Sequence, residues 1–141
     1  MRPTERPSQP MSLDEIKRAV HRHFVVEKNP ICTDGKGCFY GRTGCFVGCL
    51  LTEEDAKRLD NNGDSTSLYG VTIQDGRYCR SSNSNFTDTE IKRLLIKLMN
   101  TYFEPSVDIL HYLYRGQSVH DSNNLTDLIS YINNRPPVTG F

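Results

Sequence analysis

The first residues in this sequence that could do chemistry are its cysteines, which are odd in number. The five are Cys32, Cys38, Cys45, Cys49 and Cys79. None of their intervals is the C-x2-C of a zinc knuckle, but Cys45 and Cys49 would share a face one turn apart on a helix. Cys38, Cys45 and Cys49 are therefore candidate ligands of a structural zinc ion in a zinc-stabilised interaction module. The alternative is that such cysteines are small buried apolar side chains, a common role of free thiols.

A second candidate site combines Cys45 with the pair His120-Asp121. In a thiol-dependent hydrolase or transferase, Cys45 would be the nucleophile, His120 its base and Asp121 the group that orients the imidazole. A thiol near a helix start is favoured as thiolate by the helix dipole. However, Phe46 and Val47 flank the cysteine, and burial among apolar side chains raises the pKa of a thiol. The alternative is that Asp121 ends a helix while His120 packs in the core.

Arginine and tyrosine side chains in two turn-rich stretches are candidate binding residues. Arg42 and Arg77 carry guanidinium forks that suit anionic groups, and Arg80 lies in the same stretch as Arg77. Tyr40 and Tyr78 carry flat rings on which a ligand could stack. Neither G-x4-G-K-[ST] nor G-x-G-x-x-G occurs, so no motif supports a nucleotide in particular. The alternative is that these tyrosines belong to the core or to an interface.

Size and charge restrict the class of protein. The chain has 141 residues, which suits one domain that buries a core without disulfides. Its 17 basic and 17 acidic residues cancel, so no general basic field indicates nucleic-acid binding. No apolar run reaches the ~18 residues of a membrane span. Three prolines in the first ten residues predict a flexible leader over 1–11 and no secretory signal, and we therefore expect a cytoplasmic protein with reduced thiols.

Hydrophobic periodicity predicts a single helix-rich α+β domain over 12–141. Three helices begin at a Ser or Thr that stands three residues before an acidic side chain, which is the pattern of a helix cap. These helices are predicted at about 12–25, 52–59 and 87–103.

Two further helices and a small sheet complete the expected fold. One helix begins after Pro105 and either ends at Gly116 or continues to His120, and the last follows Asn124. Short apolar segments between turns predict a sheet of two or three strands. The segments are 38–40 and 68–73. A third apolar segment, 45–51, could be a strand or a helix, because its periodicity does not distinguish the two.

Two segments resemble a pattern found in small uncharacterised proteins of phages and prophage regions. Residues 38–54 are similar to C-x-Y-R, a glycine-bearing turn, C-A-V-G-x-L-I and a helix start, and residues 110–121 are similar to a later L-x-x-L-Q-x-x-H-D. The order of the two segments agrees with that pattern. Gly41, Phe46 and Thr52 depart from it, because they stand where arginine, alanine and proline are usual.

The resemblance implies an origin in a mobile element and a shared framework that includes Cys45, Gly48, His120 and Asp121. We therefore expect a phage- or prophage-type accessory protein, acting in the cytoplasm of a host cell. It would bind a host protein or a small ligand, and countering host defence is one such role. A binding protein is expected rather than an enzyme, because no complete catalytic motif is present. No cofactor is expected unless the zinc alternative holds.

Overall fold

The computed structural model describes residues 3–28, 46–60, 68, 70–81, 90–121 and 125–134. Within these ranges the chain has a helix-rich α+β fold with a two-stranded antiparallel sheet, which confirms the predicted fold class. None of the helices in these ranges is both long enough and apolar enough to cross a membrane. The strand predicted at 38–40 lies outside the described residues.

The first helix, α1 (Leu13–His21), begins at the predicted capping box. Oγ of Ser12 accepts a hydrogen bond from the backbone N–H of Glu15 (3.3 Å), and the Glu15 carboxylate accepts one from the backbone N–H of Ser12 (3.2 Å). This reciprocal pair satisfies two of the donors that every helix start leaves open. A π-helical turn (Arg22–Val26) continues α1, so that helical backbone reaches the predicted end. The fully buried residues of this stretch are Ile16, Val20 and Phe24.

The second helix, α2 (Glu53–Asp60), follows a single 3-10 turn (Gly48–Leu50). Oγ1 of Thr52 accepts a hydrogen bond from the backbone N–H of Asp55 (3.2 Å), which confirms the predicted cap. Acidic side chains fill the first turn of α2, where the helix dipole favours negative charge.

The sheet is a hairpin of β1 (Val71–Gln74) and β2 (Arg77–Arg80). Asp75 and Gly76 form its two-residue turn, and both have positive φ, 54° and 72°. Positive φ at both central positions defines a type I′ turn, whose twist matches that of antiparallel strands, and Asp-Gly is a preferred dipeptide for it. The paired positions are Val71–Arg80, Thr72–Cys79, Ile73–Tyr78 and Gln74–Arg77. The sequence prediction overlaps β1 but did not contain β2.

Three further helices are α3 (Glu90–Tyr102), α4 (Val107–Asp121) and α5 (Leu125–Asn134). They correspond to the three helices predicted in the second half of the chain. Of the two ends weighed for α4, the structure has the longer one, because the helix passes through Gly116. The apolar face of α3 is buried at Leu95, Leu98 and Tyr102.

Two residues of the predicted leader contact the helices. The backbone N–H of Met11 donates to the carbonyl of Tyr102 (2.7 Å), and the carbonyl of Met11 accepts from the N–H of Glu104 (3.0 Å). Nε and Nη2 of Arg6 each donate to the carboxylate of Asp55 (2.8 Å). These contacts tie the segment to the start of α2 and the end of α3. The flexibility of residues 1–11 stays a prediction.

Candidate functional site

A cleft of about 720 Å³ lies between the hairpin and α3. Both strand β2 and helix α3 contribute residues to its lining, and the two elements pack directly on each other. Its volume falls in the range of about 300–1,000 Å³ that is typical of small-molecule sites. The cleft is therefore a candidate binding site by size.

The charged lining of this cleft is mostly basic. Arg77 and Arg80 come from β2, Arg93 and Lys97 come from α3, and Asp75 in the turn is the one carboxylate among the described lining residues. On α3, Arg93 and Lys97 stand four residues apart, where like charges repel by roughly 0.2–0.5 kcal/mol. In a chain whose net charge is zero, four cations in one cleft form a local basic patch. Such a patch attracts anions.

Asn100 fixes the distance between the two walls of the cleft. Its Oδ1 accepts a hydrogen bond from the backbone N–H of Tyr78 (2.9 Å), and its Nδ2 donates to the carbonyl of the same residue (3.0 Å). Nδ2 also donates to the carbonyl of Ile96 one turn earlier, which holds the amide in place (3.2 Å). The backbone groups of Tyr78 point away from β1, so Asn100 occupies the outer edge of β2 where a third strand would pair. The walls are therefore joined by hydrogen bonds as well as by packing.

Tyr78 borders the cleft, but its ring belongs to the core. The side chain is 2% exposed, and its hydroxyl donates to the carbonyl of Glu104 and accepts from the N–H of Ser106 (3.4 Å). Burial raises the pKa of Tyr78 to about 12. The ring thus anchors β2 to the segment between α3 and α4. This burial conflicts with the interpretation of Tyr78 as a stacking surface.

Of the four binding residues named from the sequence, Arg77 lies in the cleft as an exposed side chain. Tyr40 and Arg42 lie outside the described residues. Of the four predicted binding residues, Arg77 and Tyr78 thus line the cleft. The other basic residues of its lining were not selected from the sequence.

Sequence reasoning missed Arg93 and Lys97, and it did not place Arg80 on a strand, although two local features could have indicated both. Arg93 and Lys97 lie four residues apart in a predicted helix, so they share a face. Asp75-Gly76 after an apolar run is a hairpin turn signal, which predicts that the following residues, Arg80 among them, form a strand.

The proposed catalytic residues are only partly described. Cys45 and the side chain of Asp121 lie outside the described part of the chain. His120 is fully buried, and its ring centroid is 5.8 Å from that of Phe24. Phe46, the residue after Cys45, also stacks on Phe24, with 6.3 Å between the ring centroids. The histidine therefore lies in an aromatic part of the core, where a substrate could reach it only if the rings moved.

The two segments that carry the phage resemblance contact each other. The backbone N–H of Val47, in the first segment, donates to Oε1 of Gln117 in the second segment (3.0 Å). This hydrogen bond links residues 38–54 to α4. Val47 is 1% exposed, so this hydrogen bond satisfies a donor that would otherwise be buried without its acceptor. The contact supports a structural role for both segments.

The zinc interpretation involves two residues outside the described part, Cys38 and Cys45. Cys49 is 4% exposed, and its Sγ donates to the carbonyl of Phe46 (3.2 Å). Among the described residues, no three or more His, Cys, Asp or Glu side chains are placed to hold a metal ion. A zinc site that includes the other cysteines stays a prediction.

A second cleft, of about 680 Å³, lies between the leader and the start of α2. It contains the buried carboxylate of Asp55, which accepts hydrogen bonds from Arg6, from the Tyr102 hydroxyl and from Arg58 (3.3 Å). The hydrogen bonds from Arg6 hold the pKa of Asp55 well below its usual range, and burial raises the pKa of Tyr102. Because these groups satisfy one another, the cluster is a structural ion pair that ties the leader to the fold.

Comparison of this chain with protein-family models, with curated proteins and with solved structures found no match.

Proposed function

We propose that this protein is a binding protein, not an enzyme, and that its basic cleft holds a small anionic ligand. The observation that carries the proposal is that four basic residues and one acidic residue line a cleft of about 720 Å³. A cleft lined mainly by basic residues attracts anions. Arginine forks add paired hydrogen bonds to phosphate or carboxylate groups.

The chemical character of the cleft favours binding over catalysis. The one thiol among its described lining residues is Cys79, whose Sγ donates to Oε1 of Gln74 (3.8 Å), an amide oxygen and not a general base. His120, the base of the thiol-enzyme alternative, lies in the core next to Phe24. A general base must come within hydrogen-bond reach of the proton that it removes, and in this arrangement the ring is closed to solvent.

The biological setting of the proposal comes from the sequence. The two segments that resemble phage and prophage proteins favour an accessory protein that acts in a host cell by binding a small host ligand, with countering of host defence as one role. Their contact through Val47 and Gln117 supports a shared structural framework. The ligand itself would bind elsewhere, at the cleft between β2 and α3.

The experiment that tests this function is a titration with inorganic pyrophosphate, followed by amide chemical shifts. We expect saturable shifts confined to β2 and α3, and weaker binding at higher salt because ions screen exposed charges. Lys17 and Arg115 lie in another recess, so Lys17→Met with Arg115→Met removes two positive charges away from the cleft and serves as the control. The absence of saturable shifts in the native chain, or a loss of affinity in the control variant, would contradict the proposal.

A further inference from the structure

We infer that the groove under the leader is a docking site for an extended, arginine-bearing segment of another protein, and that the leader is its occupant within the same chain. This leader groove is formed by residues 49–50 and 52–55 and by the face of α1 that contains Ala19. It shares no described lining residue with the basic cleft, so the inference goes beyond the proposed function and does not depend on it.

The leader is held in the way that a folded domain holds a peptide. Nε and Nη2 of Arg6 donate two parallel hydrogen bonds to Oδ2 and Oδ1 of Asp55, each 2.8 Å long. Five residues later, Met11 forms an isolated parallel bridge with Phe103. Main-chain pairing combined with a side chain in its own pocket is a common mode of peptide recognition. Residues 7–10, between the two contacts, form no hydrogen bond or ion pair with the rest of the described chain.

The arginine site at Asp55 is built without the leader. Asp55 is 2% exposed, and the Tyr102 hydroxyl donates to its Oδ2 (2.5 Å). The same hydroxyl accepts from the backbone N–H of Thr52 (3.2 Å), and Oγ1 of Thr52 accepts from the N–H of Asp55. Because residues of α2 and α3 hold the carboxylate in place, it can receive a guanidinium group from any segment that lies where the leader lies.

The chemistry of this site selects arginine. A buried carboxylate is costly unless a cation pairs with it. Arg58 reaches Oδ1 through a single nitrogen (3.3 Å), whereas Arg6 engages both oxygens of Asp55. Such a paired arrangement fits the planar fork of arginine, and lysine, a point charge, cannot reproduce it. We therefore expect the partner segment to contain an arginine at the position of Arg6.

The leader does not fill its groove. A recess of about 680 Å³ lies beside it at the start of α2, and another of about 490 Å³ lies on the α1 side. Residues 3–5 of the leader border both recesses, and the side chain of Arg6 is 47% exposed. A segment with larger apolar side chains next to its arginine could bury more surface there, which is favourable. It needs these added contacts, because a linked segment competes at an effective concentration in the millimolar range.

The test is a titration of the full chain with an acetylated, amidated peptide that has the sequence of residues 3–8, followed by amide chemical shifts. Arg6→Met removes the competing guanidinium group and leaves the groove unaltered. This variant should bind the peptide about tenfold more tightly than the native chain, which corresponds to ~1.4 kcal/mol. In either chain, a peptide with lysine in place of the arginine should bind at least about fivefold more weakly. Thermal midpoints show that the variant remains folded.

A matched control and the oligomeric state complete the test. Lys57→Met removes a positive charge from an exposed ion pair of α2 and should change the peptide affinity by less than about twofold. Equal peptide affinity of the native chain and Arg6→Met would overturn the inference, and so would equal binding of the two peptides. In sedimentation, a monomeric native chain supports it, whereas a dimer that Arg6→Met dissociates would overturn it in favour of leaders exchanged between two copies. None of these results bears on pyrophosphate binding, which tests the proposed function separately.

Discussion

The ring of Phe46 occupies the space in which a side chain on Gly116 would begin. A Cβ atom built on Gly116 would overlap Cδ1, Cε1 and Cζ of that ring. A glycine inside a helix costs about 0.5–1 kcal/mol relative to alanine, so α4 is less stable at this position than it could be. In return, the aromatic ring packs directly against the helix backbone. Gly116 is therefore a packing residue in α4 and not a helix end.

We expect Gly116→Ala to lower the free energy of unfolding by up to about 2 kcal/mol. Overpacking of this buried contact by the added methyl group costs about 1–3 kcal/mol, and the ~1 kcal/mol that alanine brings to a helix interior offsets part of that cost. Urea denaturation measures the difference. Ser118→Ala, at an exposed position of the same helix, should change stability by less than about 0.5 kcal/mol.

A second substitution links the effect to Phe46. Because leucine lacks Cε1 and Cζ, the two ring atoms nearest to the new methyl group, Phe46→Leu should cost less in the Gly116→Ala background than in the native chain. A double-mutant cycle should give a coupling of about 0.5–3 kcal/mol, as found for residues in contact. A stabilised Gly116→Ala protein, or additive effects, would contradict the packing role.

Much of the helical architecture follows from short-range chemistry. The cap formed by Ser12 and Glu15 and the cap at Thr52 are present as predicted, because each needs only residues within one turn. The end of α4 could not be predicted from residues within one turn. Glycine favours a helix end when only its own conformational freedom counts, but at position 116 the ring from a distant segment decides the outcome.

The candidate site was less predictable than the helices. Arg77 was selected from the sequence because arginine suits anions. Two other basic residues of the same cleft, Arg93 and Lys97, lie in another element, 16 and 20 residues later. Tyr78 illustrates the opposite problem. Its residue type suited stacking, whereas its hydroxyl donates a hydrogen bond to the carbonyl of Glu104 in the core. No local sequence pattern predicts this contact. Which residues share a cleft depends on tertiary packing, and a single sequence does not display it.

The ion pair of Arg6 with Asp55 predicts a pH-dependent stability. The pKa of Asp55 is lowered in the folded chain, so its contribution is fully present above the usual aspartate pKa of about 3.9 and is lost as the pH falls below it. Arg6→Met should therefore destabilise the protein at pH 7, and the difference from the native chain should shrink on acidification. We expect about 1–2 kcal/mol at pH 7, below the roughly 3–5 of a fully buried pair, since Arg6 is half exposed.

The measurement is the free energy of unfolding from pH 7 to pH 3 for both chains. Lys57→Met is the control, because it breaks an exposed pair with Glu53 that should contribute less than about 1 kcal/mol. A difference between Arg6→Met and the native chain that stays constant over this range would mean that Asp55 is not the partner that matters.

Asn100 should matter for stability and for ligand binding together. Asn100→Leu removes the acceptor and the donor that pair with the backbone of Tyr78, so we expect a loss of about 1–3 kcal/mol in unfolding free energy. The Tyr78 amide should exchange faster with solvent, and pyrophosphate affinity should fall because α3 is no longer fixed against β2. Asn100→Asp should rescue only in part, since its carboxylate can accept from the N–H but cannot donate to the carbonyl. Unchanged exchange and affinity in Asn100→Leu would contradict the role of the amide.

Cysteine labelling distinguishes the two described thiols and also tests the enzyme alternative. Cys49 is buried and donates to the carbonyl of Phe46, whereas Cys79 is partly exposed at the basic cleft. Because alkylation needs access and a thiolate, iodoacetamide should modify Cys79 in the native protein and Cys49 only after denaturation. Bound pyrophosphate should slow the reaction of Cys79.

Peptide mass spectrometry reports all five cysteines at once, so it also follows Cys45. If Cys45 reacts faster than the others near neutral pH, a thiol-dependent hydrolase or transferase gains support, and if it reacts only after denaturation, that alternative fails.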